Sequence, residues 1–240
     1  APSRCAAMLA AGQCEIALIP VIEYQRIPGL RVIPGVAVAS RNRVASVILI
    51  TKCPPSEARR IALDSSSRTS QVLLKILFRK KYRNQPEFIE RTPEPGCGNL
   101  LEDTDGALVI GDPTFGIKAR AAELGLHVFD LAEEWRALTG HSFVFAVWAV
   151  REDKLEEFQN ADLDFVAARD EGVGLIPAIA AEYSEQLHTP ASALETYLSE
   201  NVNYELDPEK LEGMKEYFKL AYECGQIEKV RELSFVGGKV

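Results

Sequence analysis

The chain has 240 residues, of which 47% are hydrophobic and 26% charged, and its formal net charge is −8. This composition is typical of a soluble globular protein with a sizeable core, and it excludes a disordered chain, a collagen or a coiled coil. The negative charge argues against a general nucleic-acid binder, because phosphate contacts need a basic face. An anionic small molecule is not excluded, since it needs only a local positive site. The longest apolar stretch, Phe143–Val150, is too short to cross a membrane.

The cysteines are scattered, odd in number and without a Cys-x-x-Cys pair. We therefore expect reduced thiols rather than a disulfide framework or a zinc site, and this pattern favours a cytoplasmic protein. The three histidines lie far apart, and none has a metal-type partner at helical spacing. The cysteines are Cys5, Cys14, Cys53, Cys97 and Cys224.

Short apolar runs alternate with turns in the first part of the chain. A helix is predicted over residues 3–11, followed by a short buried strand that ends at Pro20. Two further strands are predicted at Val32–Ser40 and Val44–Thr51, on either side of a polar turn. The pair Pro54-Pro55 then interrupts the pattern.

Strands and helices alternate through the middle of the chain. A helix that ends near Tyr82 carries an apolar stripe at Leu73, Leu74, Leu77 and Phe78, the spacing of one buried face. The other predicted elements are strands at Arg60–Asp64 and Glu87–Glu90, a strand from Gly106 to the turn Gly111-Asp112-Pro113, a helix at Lys118–Gly125, a strand at His127–Leu131 and a helix at Leu131–Leu138.

The last part of the chain is predicted to be helical after one more strand. That strand, Phe143–Arg151, is strongly apolar. The pair Asp207-Pro208 is a good start signal for the last helix, and Gly225 is its stop. The predicted helices are 152–159, 161–171, 174–187, 190–200 and 207–225.

The alternation of strands and helices predicts an α/β fold with a mostly parallel sheet. We predict two lobes with a central cleft. Residues 1–51 and 148–240 form the first lobe, and residues 52–147 form the second. The strands Val44–Thr51 and Phe143–Arg151 would cross between the lobes as a hinge, and the cleft would be the ligand site.

The strongest local feature is Asp64–Ser70, which follows a strand and opens a helix. Backbone N–H groups and the helix dipole at such a start favour an anion, and the hydroxyls of Ser66, Thr69 and Ser70 would add donors. Arg68 would add either a charge or a surface salt bridge. A serine N-cap explains the same residues, so both interpretations stay open. The nucleotide-binding patterns Gly-x-x-x-x-Gly-Lys and Gly-x-Gly-x-x-Gly do not occur in the sequence.

The remaining candidates also lie near the ends of predicted elements. Asp112 follows a strand in a Gly-Asp-Pro turn, where it is by default a turn-former and alternatively a base or a metal ligand. No Gly-x-Ser-x-Gly elbow and no serine–histidine–acid order is found, so no catalytic residue is assigned. We predict that the cleft is lined by Pro20, Ser46, Ser66, Thr69, Ser70, Asp112 and Thr139.

A family resemblance rests on motifs that cover nearly the whole chain. The Ser-Arg-Thr-Ser block and the block from Thr-Gly to Phe-Ala-Val-Trp are specific as a pair. Together the motifs resemble the chorismate dehydratases of the futalosine route to menaquinone. In chain order they are Ala17–Pro20 with Glu23-Tyr24, Val44–Val47, Asp64–Ser70, Ile110–Pro113, Asp130-Leu131 with Glu134-Trp135, and Thr139-Gly140 with Phe143–Trp148.

The resemblance implies a two-lobed fold like that of type II periplasmic binding proteins, used by a cytoplasmic lyase. It implies removal of water from chorismate to give 3-[(1-carboxyvinyl)oxy]benzoate in menaquinone biosynthesis, with neither a metal nor an organic cofactor. The implied partner is this dianionic small molecule, without nucleic acid or membrane. Family members begin with a strand and a turn that carries a Tyr-Leu-Asn-like segment. This chain starts at a match to the family's first Pro-Ser helix, Pro2-Ser3, so we expect that strand to be absent.

Two alternative functions are kept. One is the related 1,4-dihydroxy-6-naphthoate synthase, which acts later in the same pathway. The other is a solute-binding protein that only captures an anionic ligand. Formation of a new benzoate from chorismate would separate the leading hypothesis from both.

Overall fold

A computed structural model describes residues 2–94, 98–161 and 163–238. Its strands are β1 (Ile16–Pro20), β2 (Leu30–Ser40), β3 (Val47–Thr51), β4 (Arg60–Asp64), β5 (Glu87–Arg91), β6 (Gly106–Ile110), β7 (His127–Asp130) and β8 (Phe143–Arg151). They form two sheets, with the strand orders β1-β8-β2 and β5-β4-β6-β3-β7. The predicted α/β class is therefore confirmed.

The first sheet is built around β8, which pairs antiparallel with both β1 and β2. Most residues of β8 are buried, in keeping with its strongly apolar sequence. The register between β2 and β8 shifts between Val32 and Ala37. The intervening segment holds Pro34, which has no N–H to donate to a neighbouring strand, and Gly35 at a φ of 77°.

The second sheet is mixed. β4 pairs parallel with β5 and β6, whereas β3 pairs antiparallel with β6 and β7. Four of its five strands therefore run in one direction and β3 is opposed to them, so the predicted mostly parallel sheet is found here, whereas the first sheet is antiparallel. Connections between β4, β5 and β6 keep these consecutive strands parallel, as crossover connections do. β3 follows β2 of the first sheet along the chain, and β8 belongs to the first sheet. Neither strand is reached by a crossover within the second sheet, so neither has to run parallel to β4, β5 and β6.

The pairings place the crossings between the sheets differently from the prediction. β3 pairs within the second sheet and β8 within the first, so neither strand crosses. The chain passes between the sheets at residues 41–46 and 131–142 instead. An apolar run reveals a strand but not the sheet that the strand joins, and this is why the prediction failed here. The lobe limits at residues 51 and 147 stay a prediction. The strand pairings favour limits at residues 46 and 142 instead, because β3 then lies wholly in the second lobe and β8 wholly in the first.

The helical tail after β8 agrees with the prediction. A π-helical turn, Tyr197–Asn201, follows α9 within it. No helix of the described residues has both the length and the apolar character needed to span a bilayer. The helices are α1 (Pro2–Ala10), α2 (Val21–Arg26), α3 (Arg68–Lys80), α4 (Pro113–Arg120), α5 (Leu131–Thr139), α6 (Leu155–Asn160), α7 (Phe165–Gly174), α8 (Ile176–Tyr183), α9 (Ala191–Thr196) and α10 (Pro208–Glu223).

Two helices differ from the prediction. α2 follows directly after β1 and was not predicted, because its buried residues continue the apolar run of the strand. α4 begins at Pro113 and ends at Arg120, rather than spanning 118–125. Proline suits this first helical position, because the N–H that it lacks would have no partner within the helix.

The α3 helix packs between the two sheets. Its predicted stripe, formed by Leu73, Leu74, Leu77 and Phe78, is no more than 1% exposed. α3 contacts α2, α5 and α10, together with β6 of the second sheet and β8 of the first. Buried residues from both sheets consequently belong to one continuous core. The first turn of α3 is thus held between elements of both sheets.

The described cysteines are free thiols, as predicted, and Cys97 lies outside the described residues. Burial raises the pKa of the Cys14, Cys53 and Cys224 thiols. A thiol with a raised pKa stays protonated at neutral pH, and the thiolate is the reactive form. The raised pKa values therefore disfavour the reactive thiolate at these three cysteines.

Asp105 forms a pH-sensitive contact at the start of β4. Its carboxylate accepts hydrogen bonds from the backbone N–H groups of Arg59 and Arg60, at 2.7 and 3.0 Å, and these bonds lower the pKa of Asp105. A lowered folded-state pKa stabilises the fold above the unfolded pKa of about 3.9, and this stability is lost as the pH falls through the folded value. We expect Asp105→Asn to lower the Tm at about pH 7 but not at about pH 2. An equal Tm difference at both pH values would contradict this role.

Candidate active site between the two sheets

One edge of the second sheet carries several predicted site residues. Val47 at the start of β3 pairs with Ile110 at the end of β6, and Ile48 pairs with Asp130 at the end of β7. β4 runs parallel to β6, so its end lies at the same edge. The segments that leave the sheet at this edge carry Ser46, Asp112, Ser66, Thr69 and Ser70.

The matching edge of the first sheet carries Pro20. Pro20 at the end of β1 pairs with Ala146, and Ser40 at the end of β2 pairs with Phe143. Residues 41–46 and 131–142 join this edge directly to the edge of the second sheet. The two edges therefore face each other across the crossings, and the candidate site lies between them.

The start of α3 is capped by a serine. Ser67 accepts a hydrogen bond from the Ser70 N–H at 3.4 Å, and the Ser67 hydroxyl donates to Ser70 Oγ at 2.9 Å. The Ser66 N–H donates to Asp64 Oδ1 at 2.8 Å. The capping role thus falls to Ser67 and not to Ser66, Thr69 or Ser70. Anion binding by those three residues stays a prediction.

Thr69 joins α3 to the helices α2 and α10. Its Oγ1 accepts a hydrogen bond from the Ile22 N–H at 3.4 Å, and its carbonyl accepts one from the Tyr217 hydroxyl at 3.0 Å. Thr69 is 1% exposed, and Pro20 is buried two residues before Ile22. The structure therefore brings Pro20 close to the start of α3, as the predicted cleft requires.

Glu23 of α2 forms an ion pair with Arg68 at the start of α3. This carboxylate is 3% exposed and accepts hydrogen bonds from Arg68 at 2.7 Å and from Arg26 at 2.9 Å. Of the two roles considered for Arg68, the structure shows the salt bridge. Because the Arg68 charge is already paired, the hydroxyl groups and the α3 dipole are left as the anion-binding features of this turn.

Ser46 and the turn at Asp112 lie together. The Gly111 N–H donates to the Ser46 carbonyl at 2.7 Å, and the Tyr197 hydroxyl donates to Ser46 Oγ at 2.9 Å. Asp112 is exposed at the N-terminal end of α4, and its side chain makes no capping hydrogen bond there. The tight turn is supplied by Gly111 at a φ of 72°. Asp112 is therefore available to a ligand or to solvent.

Thr139 is engaged locally. Its hydroxyl donates to the Trp135 carbonyl at 3.0 Å and accepts from the His141 N–H at 3.2 Å. These bonds end α5 and shape the turn at Gly140, which has a φ of 78°. Within the described residues, no hydrogen bond links Thr139 to another predicted site residue. Its place in the cleft stays a prediction.

Three hydroxyl groups at the facing edges have their protons uncommitted. The hydroxyl oxygens of Ser46, Thr69 and Ser70 each accept a hydrogen bond from the protein. Across residues 2–94, 98–161 and 163–238, none of these hydroxyls donates one. A hydroxyl has one proton to donate, so donation from these buried residues, which are 1–7% exposed, to an anionic oxygen would break no existing bond.

Two residues near Ser46 were missed by the sequence analysis. Tyr197 lies in the helical tail, where no local motif marks it, and Lys118 lies inside the predicted helix 118–125. Lys118 Nζ donates to the carbonyl of Ala45, and burial lowers the pKa of this lysine. The position of Lys118 after the Gly-Asp-Pro turn was the one available signal for its closeness to the site.

A cavity elsewhere in the fold is much more apolar. It measures about 550 Å³ and lies between the first sheet and the tail helices, with Leu18, Val38, Trp148 and Phe165 in its wall. Polar residues of its wall include Arg169 and Tyr204, but the Arg169 guanidinium already donates to the Gly35 carbonyl and pairs with Asp170. The facing edges of the sheets therefore suit an anion better than this cavity does.

Comparison with known proteins agrees with the motifs. A family model described as menaquinone biosynthesis matches residues 1–223. The chain belongs to this menaquinone biosynthesis family. A chorismate dehydratase of Thermus thermophilus is 31% identical over 233 residues, which cover 90% of this chain and 83% of that protein. The resemblance predicted from the sequence is thus confirmed.

Solved structures similar to this menaquinone biosynthesis family member share its fold at low identity. A Candida albicans gene product with the generic periplasmic binding protein fold is 12% identical, with a TM-score of 0.66 over 95% of this chain and 79% of that one. The alkanesulfonate-binding protein of Xanthomonas axonopodis pv. citri is 14% identical, with a TM-score of 0.64 over 95% and 82%. These similarities confirm the predicted two-lobed, periplasmic-binding-protein-like fold.

Proposed function

We propose that this protein is a chorismate dehydratase, a lyase that converts chorismate to 3-[(1-carboxyvinyl)oxy]benzoate and water in menaquinone biosynthesis. The similarity to the Thermus thermophilus relative, which extends over 90% of the chain, carries the proposal. The hydroxyl donors at the facing edges support it, because chorismate has two carboxylates that a binding site must hold.

The proposed binding mode uses the start of α3 for one carboxylate. Thr69 and Ser70 supply hydroxyl protons there, Ser66 lies beside them, and the positive end of the α3 dipole favours the negative charge. Ser46 supplies a further donor from the start of β3, at the same edge of the sheet. Hydrogen bonds to charged groups are stronger than neutral ones, so a few such donors are enough to orient the substrate.

The chemistry needs orientation more than a strong base. In the elimination a ring C–H bond and the ring C–OH bond break, and the ring becomes aromatic. We propose that the side-chain carboxylate of chorismate itself takes the ring proton once the cleft has oriented it. The departing hydroxyl and one proton make up the water. This route agrees with a site in which hydroxyl donors, rather than an acid–base pair, are the prominent groups.

The proposal includes neither a metal nor an organic cofactor. The elimination is redox-neutral, and its driving force is the aromatic ring that it forms. We also propose a cytoplasmic location, which the free thiols of Cys5, Cys14, Cys53 and Cys224 support.

Incubation of the purified protein with chorismate tests the proposal directly. We expect a new benzoate product, smaller than chorismate by one water, that mass spectrometry detects and that denatured protein does not form. The Ser46→Ala/Thr69→Val double variant serves as a matched control and should form the product far more slowly. Tight chorismate binding without a product would support the solute-binding alternative, and absence of both binding and product would refute the proposal.

A further inference from the structure

The backbone just before Ser46 is held in a strained conformation. Ala45 has a φ of 64°, in the left-handed region that residues with a side chain rarely adopt. Its N–H donates to Asp130 Oδ2 at 2.7 Å, and its carbonyl accepts from Lys118 Nζ. Asp130 Oδ1 also accepts from the Val44 N–H at 3.2 Å. Strain of this kind persists where surrounding contacts impose it, and it is concentrated at functional sites.

The side chain of Ser46 is fixed from the opposite direction. The Tyr197 hydroxyl donates to Ser46 Oγ at 2.9 Å across 151 positions of sequence. The Tyr197 ring packs edge-on against Phe115, with ring centroids 5.3 Å apart. The Tyr197 hydroxyl is the donor in this bond, and burial raises the pKa of the phenol, which keeps it protonated. The Ser46 oxygen is thereby used as an acceptor, and its own proton points elsewhere.

We propose that Tyr197 is a positioning residue that holds the Ser46 hydroxyl as a hydrogen-bond donor toward an anionic oxygen of the substrate. Asp130 and Lys118 serve the same end by fixing the backbone at Ala45. The inference rests on the proposed function and assigns to the tail a part in the active site. It also gives a reason for the contact between Tyr197 of the helical tail and Ser46 at the edge of the second sheet.

A double-mutant cycle on Tyr197 and Ser46 tests this inference. Tyr197→Phe removes the hydroxyl and keeps the ring against Phe115. We expect it to lower kcat/KM for chorismate about 3- to 10-fold in the wild-type background, the value of one neutral hydrogen bond. In the Ser46→Ala background the same change should have almost no effect, because the hydroxyl that it orients is gone. Tyr183→Phe, at an exposed tyrosine of the same tail, is the control.

The outcomes of the cycle are distinct. A merely structural role would lower activity and Tm equally in both backgrounds, and such additivity would overturn the inference while leaving the proposed function intact. A wild-type protein that neither binds nor dehydrates chorismate would overturn both.

Lys118→Met should lower kcat/KM and Lys118→Arg should restore part of it, since arginine can still donate to the Ala45 carbonyl. Wild-type kinetics in Lys118→Met would remove Lys118 from the positioning group.

Discussion

Replacing Thr69 with valine is expected to weaken chorismate binding roughly 10- to 100-fold while the protein stays folded. Valine has nearly the shape of threonine, so the buried volume between α2 and α3 is kept and only the hydroxyl is lost. A hydrogen bond from such a hydroxyl to a carboxylate contributes about 1.5–3 kcal/mol, which corresponds to the expected loss. Calorimetric titration with chorismate, run beside a melting curve, measures both quantities on the same sample.

Two matched variants separate binding from helix capping. Thr69→Ser keeps the hydroxyl and should bind nearly as the wild type does. Ser67→Ala removes the observed cap of α3 and the hydroxyl that donates to Ser70 Oγ, so it should cost about 1 kcal/mol of stability and lower the affinity less than Thr69→Val does. If Thr69→Val lowered the Tm but bound chorismate with wild-type affinity, the Thr69 hydroxyl would serve only as the partner of the Ile22 N–H, and the carboxylate site would be refuted.

Local patterns were sufficient to predict most individual elements of the fold. The stripe of α3 has the 3.6-residue spacing of a buried helical face, and the apolar run of β8 has strand length. Proline and glycine mark the start of α10 and the turn after it. In each case a few neighbouring residues determine the conformation, so the sequence alone carries the information.

Sheet membership could not be predicted in the same way. β3 is buried along its whole length and would satisfy either sheet, and its partners β6 and β7 lie far along the chain. The direction of β3 depends on these partners, which an apolar run does not identify. α2 was missed for a related reason, since a six-residue helix with four buried residues is not distinguished by periodicity from the strand before it.

In the candidate site, too, residues marked by local patterns were predicted, whereas residues in long-range contacts were not. Pro20, Ser46, Asp112 and the start of α3 were predictable because ligands of α/β proteins collect at strand ends. The contact of Tyr197 with Ser46 spans 151 positions, and that of Lys118 with Ala45 spans 73. Such contacts follow from how the tail and α4 pack on the finished sheets. Residues that hold a site in place are therefore harder to find from sequence than residues that line it.

The start of α10 holds both crossings between the sheets. Asp207 Oδ2 lies 3.7 Å from Nη2 of Arg41 in the first crossing, residues 41–46. Glu209 accepts a hydrogen bond from the Ser142 hydroxyl of the second crossing at 2.8 Å and lies 3.6 Å from Arg136 of α5. The stability of this first turn of α10 consequently bears on how the two sheets are held relative to each other.

Asp207→Ala is expected to destabilise the protein by about 3–5 kcal/mol, the usual cost of leaving a buried charge without its partner. The side chain of Lys210 is 0% exposed and its ammonium pairs with Asp207, which also caps α10 by accepting from the Lys210 N–H at 3.0 Å. Lys210→Met should cost much less, because it removes the buried charge itself. Urea unfolding measures both changes.

The double variant Asp207→Ala/Lys210→Met makes the test specific. If the unpaired ammonium causes most of the loss, the double variant should be more stable than Asp207→Ala alone and should lack little more than the cap, about 1 kcal/mol. Asp207→Asn, which keeps an oxygen at the cap position but no charge, should fall between the wild type and Asp207→Ala. A double variant no more stable than Asp207→Ala would show that the cap and the packing of α10, rather than the buried ion pair, hold the first turn against the crossings.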